Sequence, residues 1–333
     1  MIIRRNGQSR PAAVLRSVVF VATLLGAPRS AMAQASHAGI LLTLPTSTRS
    51  LGLGDATVAS ISDEWSLFAS PAQLAKATRF GAAVASEAYI ASTQLSAGAV
   101  TFPAWRGTIG IGATMLDYGS VKEIVAPAVG VDGAETGRNV SAQDVAFEIG
   151  YARTLPWIAG LRSGITVEMM RTSVADLSAD GVAASLGVAW TSHRGWDLAA
   201  AYQHVGTTVK LGATSGSLPA IWRVGVAAPV QHFQRARLRP MAELRGVRGD
   251  LSATAAAELL WPGVRGAEFV ARAGYTVRDG SDDRWPVALG AGVVMGRFSV
   301  DYAMERFRRI DQVTHRIGIR FARAAPAGAS TNR

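Results

Sequence analysis

From residue 79 to residue 322, apolar side chains take turns with small or polar ones in segments of about ten residues, the length and rhythm of strands that show one face to lipid and the other to an interior. The run Gln143 to Arg153 carries the pattern most plainly. Val145, Phe147, Ile149 and Tyr151 share one face, while Asp144, Ala146, Glu148, Gly150 and Ala152 share the other. No apolar stretch is long enough to be a membrane helix. The pattern therefore predicts an all-β chain, a transmembrane antiparallel β-barrel. Segments over 81–90, 92–103, 106–117, 142–155, 158–171, 179–192, 195–204, 218–229, 236–247, 250–261, 265–277, 284–294, 297–307 and 312–322 make fourteen strands. Bacterial single-chain barrels have even strand counts.

Connection lengths follow the same geometry, because such barrels have short periplasmic turns and longer outer loops. If the first strand runs outward, the gaps Tyr118 to Ser141 and Val205 to Ser217 both fall outside, with Asp279-Gly280-Ser281 and Arg308 to Asp311. Ala104-Trp105, His193-Arg194 and Gly296-Arg297 fall inside as tight turns. Trp105, Trp157, Trp190, Trp196 and Trp261 lie beside the tight turns, and Trp222 and Trp285 lie at the opposite strand ends. That spacing suits aromatic girdles at two membrane interfaces better than the core of a soluble sandwich.

The N-terminus supplies a route to the membrane. Arg4, Arg5, Arg10 and Arg16 precede the apolar stretch Val18 to Leu25, and Ala31-Met32-Ala33 has the small-x-small form of a secretory cleavage site. Residues 1–33 read as a signal peptide, and the mature chain begins at Gln34. Five arginines and no acids leave with it, so the formal charge falls from +10 to +5. Half the basic balance is thus targeting, and the remaining cations are scattered rather than gathered on one face, which excludes nucleic acid as a partner. The absence of cysteine excludes disulfides and thiolate metal sites. Residues 323–333, rich in Ala, Pro, Gly and Ser, read as a disordered tail.

The inward positions of the predicted strands collect charges of both signs: Glu148, Arg162, Glu168, Arg223, Arg239, Glu243, Arg245, Glu258, Arg272, Asp301, Glu305, Arg316 and Arg320. Mixed signs point to ion pairs filling a lumen rather than to an ion-selective pore. Enzyme chemistry finds little footing. Three of the five histidines (His37, His193, His232) fall in the N-terminal segment or in tight turns, and His204 and His315 read as polar rim residues near outer loops. No His/Asp/Glu cluster has metal-ligand spacing, and no cofactor is indicated. Gly52-Leu53-Gly54 lacks the third glycine and the surrounding strands and helix of a dinucleotide loop.

Residues 34–78 do not alternate. Asp63-Glu64 ahead of Trp65, Leu67 and Phe68 suits a short helix start that Pro71 ends. A short irregular piece before a closed barrel is best protected inside it, so residues 34–78 are expected to form a plug within the barrel of residues 79–322.

The stretch Arg49 to Ala59, through Asp63-Glu64 to Ser70-Pro71-Ala72-Gln73-Leu74-Ala75, resembles the N-terminal motif of the PorV/PorQ family, which is in turn similar to the FadL family of outer-membrane transporters. The motif residues are Leu51, Gly52, Gly54, Asp63, Glu64, Ser70, Pro71 and Ala72, with Ser70 and Gln73 standing where those families carry Asn and Gly. Arg316-Ile317-Gly318-Ile319-Arg320-Phe321 likewise resembles the C-terminal β-signal of outer-membrane proteins, with Arg323 in place of a second terminal aromatic. The PorV/PorQ resemblance implies an accessory role in type IX-like secretion, outer loops engaging the C-terminal domains of secreted proteins. The FadL resemblance implies passive transport of long-chain fatty acids or another hydrophobic small molecule past an N-terminal hatch. Outer-membrane lipid is a partner in both.

Overall fold

The computed structural model describes residues 38–125, 133–279 and 283–322. The signal segment 1–33, the first residues of the plug segment, residues 126–132, residues 280–282 and the tail 323–333 lie outside the described residues. Among the described residues, fourteen strands close one sheet, to which the three-residue strand Gln231–Phe233 adds a short hairpin arm. They are β1 (Gly81–Ala88), β2 (Gln94–Ala104), β3 (Gly107–Val125), β4 (Ala134–Thr154), β5 (Leu161–Val174), β6 (Leu177–Thr191) and β7 (Asp197–Gly206). The second half is β8 (Ile221–Ala227), β9 (Ala236–Val247), β10 (Asp250–Pro262), β11 (Ala267–Arg278), β12 (Val287–Met295), β13 (Phe298–Phe307) and β14 (Gln312–Ala322). Each strand is antiparallel to its neighbours in sequence, and β14 closes onto β1 from Gly81↔Ala322 to Ala88↔His315. Ile221 in β8 sits opposite both Gln203 in β7 and Val247 in β9. Closure leaves no unpaired edge, the condition for a sheet to stand in lipid.

Alternation sets the two faces. In β4, Ala146 and Glu148 are buried, while Phe147 and Ile149 are 63% and 55% exposed. Ile149 lies in register between Ile111 and Val167, so outward apolar rows continue from strand to strand. Such a band is far larger than soluble surfaces carry, and lipid is the solvent that suits it. Its limits are marked chemically. Trp105, Trp157, Trp190, Trp196 and Trp261 are exposed at the short-turn end, with Trp222 and Trp285 toward the other. On the outward face of β5 and β6, Arg171 Nε donates to Asp180 Oδ1 at 2.7 Å, an ion pair that belongs at headgroup level rather than in hydrocarbon.

The inward face is built from small residues, among them Ala83, Ala99, Ala152, Ala189, Ala201 and Ala303. The room they leave is filled by residues 38–79, which fold as short helices at Ile40–Thr43, Thr48–Gly52, Ser66–Ala69 and Pro71–Lys76. Local chemistry fixes these turns. The Ser47 hydroxyl accepts from the Ser50 N–H at 2.9 Å as an N-cap. Asp63 accepts from the Trp65 N–H at 3.1 Å just ahead of Ser66–Ala69. The helix expected to start at Asp63-Glu64 is thus shorter, and Pro71 both follows its end and opens the next turn, where its missing N–H costs nothing. Leu51, Leu53, Val58, Ile61, Leu67 and Leu74 are all buried.

Two predicted loops are ordered differently. Most of Tyr118 to Ser141 is not loop: β3 and β4 run on past the lipid band as a two-stranded ribbon, with register shifts after Asp117 and Lys122. Cross-strand pairs hold it, Lys122 with Glu135 at 2.8 Å and Arg138 with Glu123 at 3.5 Å. Its exposed charges hid the strand rhythm. The stretch after Val205 folds into a hairpin, Thr208–Leu211 with Thr214–Ser217. Val209 and Leu218 from this connection pack with Leu41, Leu42 and Met170.

Candidate functional site

Close backbone approach seats the N-terminal segment against the wall. A Cβ on Gly52 would lie 2.9 Å from the Cα of Gly290, and one on Gly164 would lie 2.3 Å from the Pro71 carbonyl oxygen. Ala72 meets Gly187 in the same way, so glycine on the wall makes space for motif backbone. Leu51 is buried in the Thr48–Gly52 helix. The Gly54 carbonyl accepts from Thr254 at 3.3 Å and from Thr276 at 3.4 Å. Ser70 is buried, its N–H donates to Ser66, and its hydroxyl has no partner.

Ion pairs then join segment to wall at several heights. Arg316 in β14 donates to Glu87 in β1 and to the carbonyls of Pro45 and Ser47. Arg223 meets Glu243 at 2.5 Å and Asp55 at 3.1 Å, and Glu243 also accepts the Val58 N–H at 2.8 Å. Glu258 lies between Arg49 at 2.9 Å and Arg272 at 2.7 Å, and Arg272 reaches on to Asp301 at 2.5 Å. Arg245 donates to the Thr43 carbonyl at 2.8 Å. Arg320 stands 3.9 Å from Glu64. Burial, with Asp63 nearby and Arg320 opposing, pushes the Glu64 carboxyl up to about 7.

Several members of this network were not singled out by sequence. Asp197, at the first position of β7, accepts from Lys76 at 2.8 Å, Arg162 at 3.3 Å and Arg239 at 2.5 Å. Burial, with Arg162 and Arg239 close by, lowers the Lys76 ammonium below its usual range against the pull of Asp197. His204 is the clearest correction. It is not a rim residue: it is buried, and its Nδ1 lies 2.7 and 2.9 Å from the two carboxylate oxygens of Glu168. Glu148 faces Glu168 in register. The cause is a break in alternation, since His204 has a φ of 58° and β6 and β7 slip register between Ala184 and Leu186.

Two cavities lie along the segment at opposite ends of the barrel. At the long-loop end, about 360 Å³ is bounded by Ile40, Leu44, Tyr89, Leu251 and Phe307 together with Arg245 and Arg248. At the short-turn end, about 230 Å³ lies between residues 48–65 and the wall. On β10 the first cavity touches Ser252 and Thr254 and the second touches Glu258 and Leu260. On β11 the division falls between Thr276 and Arg272. Between them Leu53 is fully buried, and its carbonyl carbon is so close that a Cβ on Gly274 would lie 2.4 Å from it. Gly52-Leu53 against Gly274 and Gly290 is thus a close backbone contact between the levels of the two cavities.

Such an arrangement, a closed fourteen-strand barrel with its own N-terminal residues inside, defines a transmembrane barrel with an internally occupied lumen. No family model matches the sequence, and no curated protein matches it. The fold is shared with solved structures. The toluene transporter TodX of Pseudomonas putida is similar over 84% of this chain and 98% of its own, with a TM-score of 0.55 at 11% identity. The CymD monoaromatic hydrocarbon channel is similar over 84% and 98%, with a TM-score of 0.57 at 11% identity. A FadL homologue of Pseudomonas aeruginosa matches at 0.49 and 12% identity over 83% and 97%. At these identities the likeness is one of fold, and it lends the PorV/PorQ resemblance of residues 49–75 no support.

Proposed function

We propose that the protein is a passive outer-membrane channel for a small hydrophobic compound, with residues 38–78 as the plug that controls passage. The observation that carries the reading is the pair of cavities on either side of the Gly52-Leu53 contact with Gly274 and Gly290, where the Gly54 carbonyl also accepts from Thr254 and Thr276. A compound entering from the long-loop side meets Ile40, Leu44, Tyr89, Leu251 and Phe307 set among charged side chains such as Arg245, Arg248 and Asp250, and needs the segment to shift by little to reach the second cavity. Polar clips around that contact, Arg49 to Glu258 and Arg223 to Asp55, hold the segment in one place, while the Leu53 side chain is held by packing and its backbone bonds only within the segment. The names of the fold's neighbours, a toluene transporter and a monoaromatic hydrocarbon channel, favour this reading over secretion. The lipid-facing band and the even strand number suit the bacterial outer membrane. Uptake of a labelled monoaromatic hydrocarbon by cells carrying the barrel tests it. Leu53→Trp should slow uptake several-fold, and equal uptake with and without the protein would exclude the channel.

A further inference from the structure

The short-turn end of the barrel carries an arginine at every connection. Arg106, Arg194, Arg265 and Arg297 lie in the turns between β2 and β3, β6 and β7, β10 and β11, and β12 and β13. Arg235 lies at the tip of the hairpin arm that joins β8 to β9. Arg153 is the last outward residue of β4, and Arg79 stands two residues ahead of β1, beside the closing strand. Six of the seven are exposed and Arg153 is half-buried. Among the described residues, none of the seven side chains makes a hydrogen bond or an ion pair. The turns and strand ends around them hold two carboxylates, Glu268, which Arg237 takes at 2.5 Å, and buried Asp197, which serves Lys76, Arg162 and Arg239. The long-loop end is built the other way, since Arg138, Arg171 and Arg306 each have an exposed aspartate within 2.8 Å.

Aromatic rings fix the depth of these cations. Phe80, Trp105 and Phe298 are next in sequence to Arg79, Arg106 and Arg297, and Trp196 and Phe233 lie two residues from Arg194 and Arg235. Trp157 and Trp261 lie four residues from Arg153 and Arg265, and all seven rings are exposed. The Tyr151 hydroxyl donates to the Trp105 carbonyl at 2.8 Å, and the Trp190 indole donates to the Ala159 carbonyl at 3.2 Å, so two of the turns are pinned to the wall. Exposed rings at strand ends sit at headgroup level, which places the guanidinium groups where lipid phosphates lie. Neighbouring turns are two strand spacings apart, roughly 10 Å, about one Debye length at physiological salt. Each arginine can therefore meet a phosphate of its own, and its fork matches phosphate oxygens in pairs. A zwitterionic headgroup brings an ammonium with its phosphate and leaves the positive excess standing, whereas an anionic one removes it.

We propose that these arginines form a collar that binds anionic phospholipid in the leaflet on the short-turn side, phosphate on guanidinium and acyl chains along the neighbouring rings. The collar is independent of what passes through the lumen. A soluble acidic partner would call for cations gathered on one face, while a ring at girdle depth suits lipid around the whole circumference.

Quenching of tryptophan fluorescence by brominated-chain lipid tests the collar, with the full chain reconstituted in phosphatidylcholine vesicles. Trp222→Phe with Trp285→Phe leaves Trp105, Trp157, Trp190, Trp196 and Trp261 as lipid-facing reporters, all at the short-turn end. In that background, brominated phosphatidylglycerol should bind beside them at least about threefold more strongly than brominated phosphatidylcholine. Salt at about 1 M, where the Debye length falls to about 3 Å, should bring the two lipids within about 1.5-fold. Arg106→Gln, Arg153→Gln, Arg194→Gln and Arg265→Gln together should do the same at low salt, with heat-modifiable migration unchanged. Equal quenching by the two lipids before any arginine is changed overturns the proposal and leaves the collar to an acidic soluble partner. A preference that survives the four substitutions in a folded barrel overturns the assignment to these side chains. The salt series changes no arginine, so a preference insensitive to it overturns the electrostatic basis even where the fourfold variant fails to assemble.

Discussion

Arg316→Met tests the clips between segment and wall at the place where the chemistry is most enclosed. Arg316 and Glu87 are each 1% exposed, and the guanidinium also serves the carbonyls of Pro45 and Ser47. Removing it strands a buried carboxylate whose second oxygen, Oε1, already has no partner. Breaking a buried pair from one side costs about 3–5 kcal/mol, and two orphaned carbonyls push the loss toward the upper end. Adding Glu87→Gln removes the stranded charge, so the double variant should recover to within about 1–2 kcal/mol of the parent. Urea titration followed by heat-modifiable gel migration gives the stabilities, and limited proteolysis reports whether residues 38–47 leave the wall. A single variant that loses less than about 1 kcal/mol, or a double variant whose loss is the sum of the two singles, would refute the reasoning.

Further outcomes follow from other parts of the molecule. Ile149→Arg, in the middle of the outward band, should cost about 2–4 kcal/mol, against about 0–1 for Trp157→Arg at the interface; equal costs in the same urea assay would misplace the membrane. The Glu64 carboxyl, held up to about 7 from an ordinary 4.5, keeps its proton in the folded state where the unfolded chain has lost it. Stability should therefore fall as pH rises from about 4.5 to 7 and level off above, by on the order of 2–3 kcal/mol. Glu64→Gln should flatten that slope, and a slope of the opposite sign would contradict the burial argument. Intact mass of the protein from the envelope should give Gln34 as the first residue, and retention of Met1 would contradict the export signal.

What the sequence made legible was the barrel, because lipid on one side forces a two-residue rhythm that no helix shares. The expected segments 236–247 and 312–322 coincide with β9 and β14. The ribbon beyond Asp117 was hidden because, with water on both sides, Lys122, Glu123, Glu135 and Arg138 need not alternate with apolar residues. His204 was hidden by a single left-handed residue that turns a side chain from rim to interior. Asp197 lay near the start of the expected strand 195–204, where its parity with Ala199 and Ala201 already placed it inward although it was not singled out. Which carboxylate meets which guanidinium was beyond reading, since Arg49 and Glu258 come together only when the sheet closes around the segment.

Planar-bilayer recording tests the central claim, that the chain's own N-terminal segment closes the barrel at Gly52-Leu53. The intact chain should show no steady ion conductance, whereas a chain lacking Ala38 to Thr78, once shown folded by heat-modifiable migration, should open a large steady pore. An intact chain that conducts like an open pore, or a deletion that stays as silent as the parent, would contradict it.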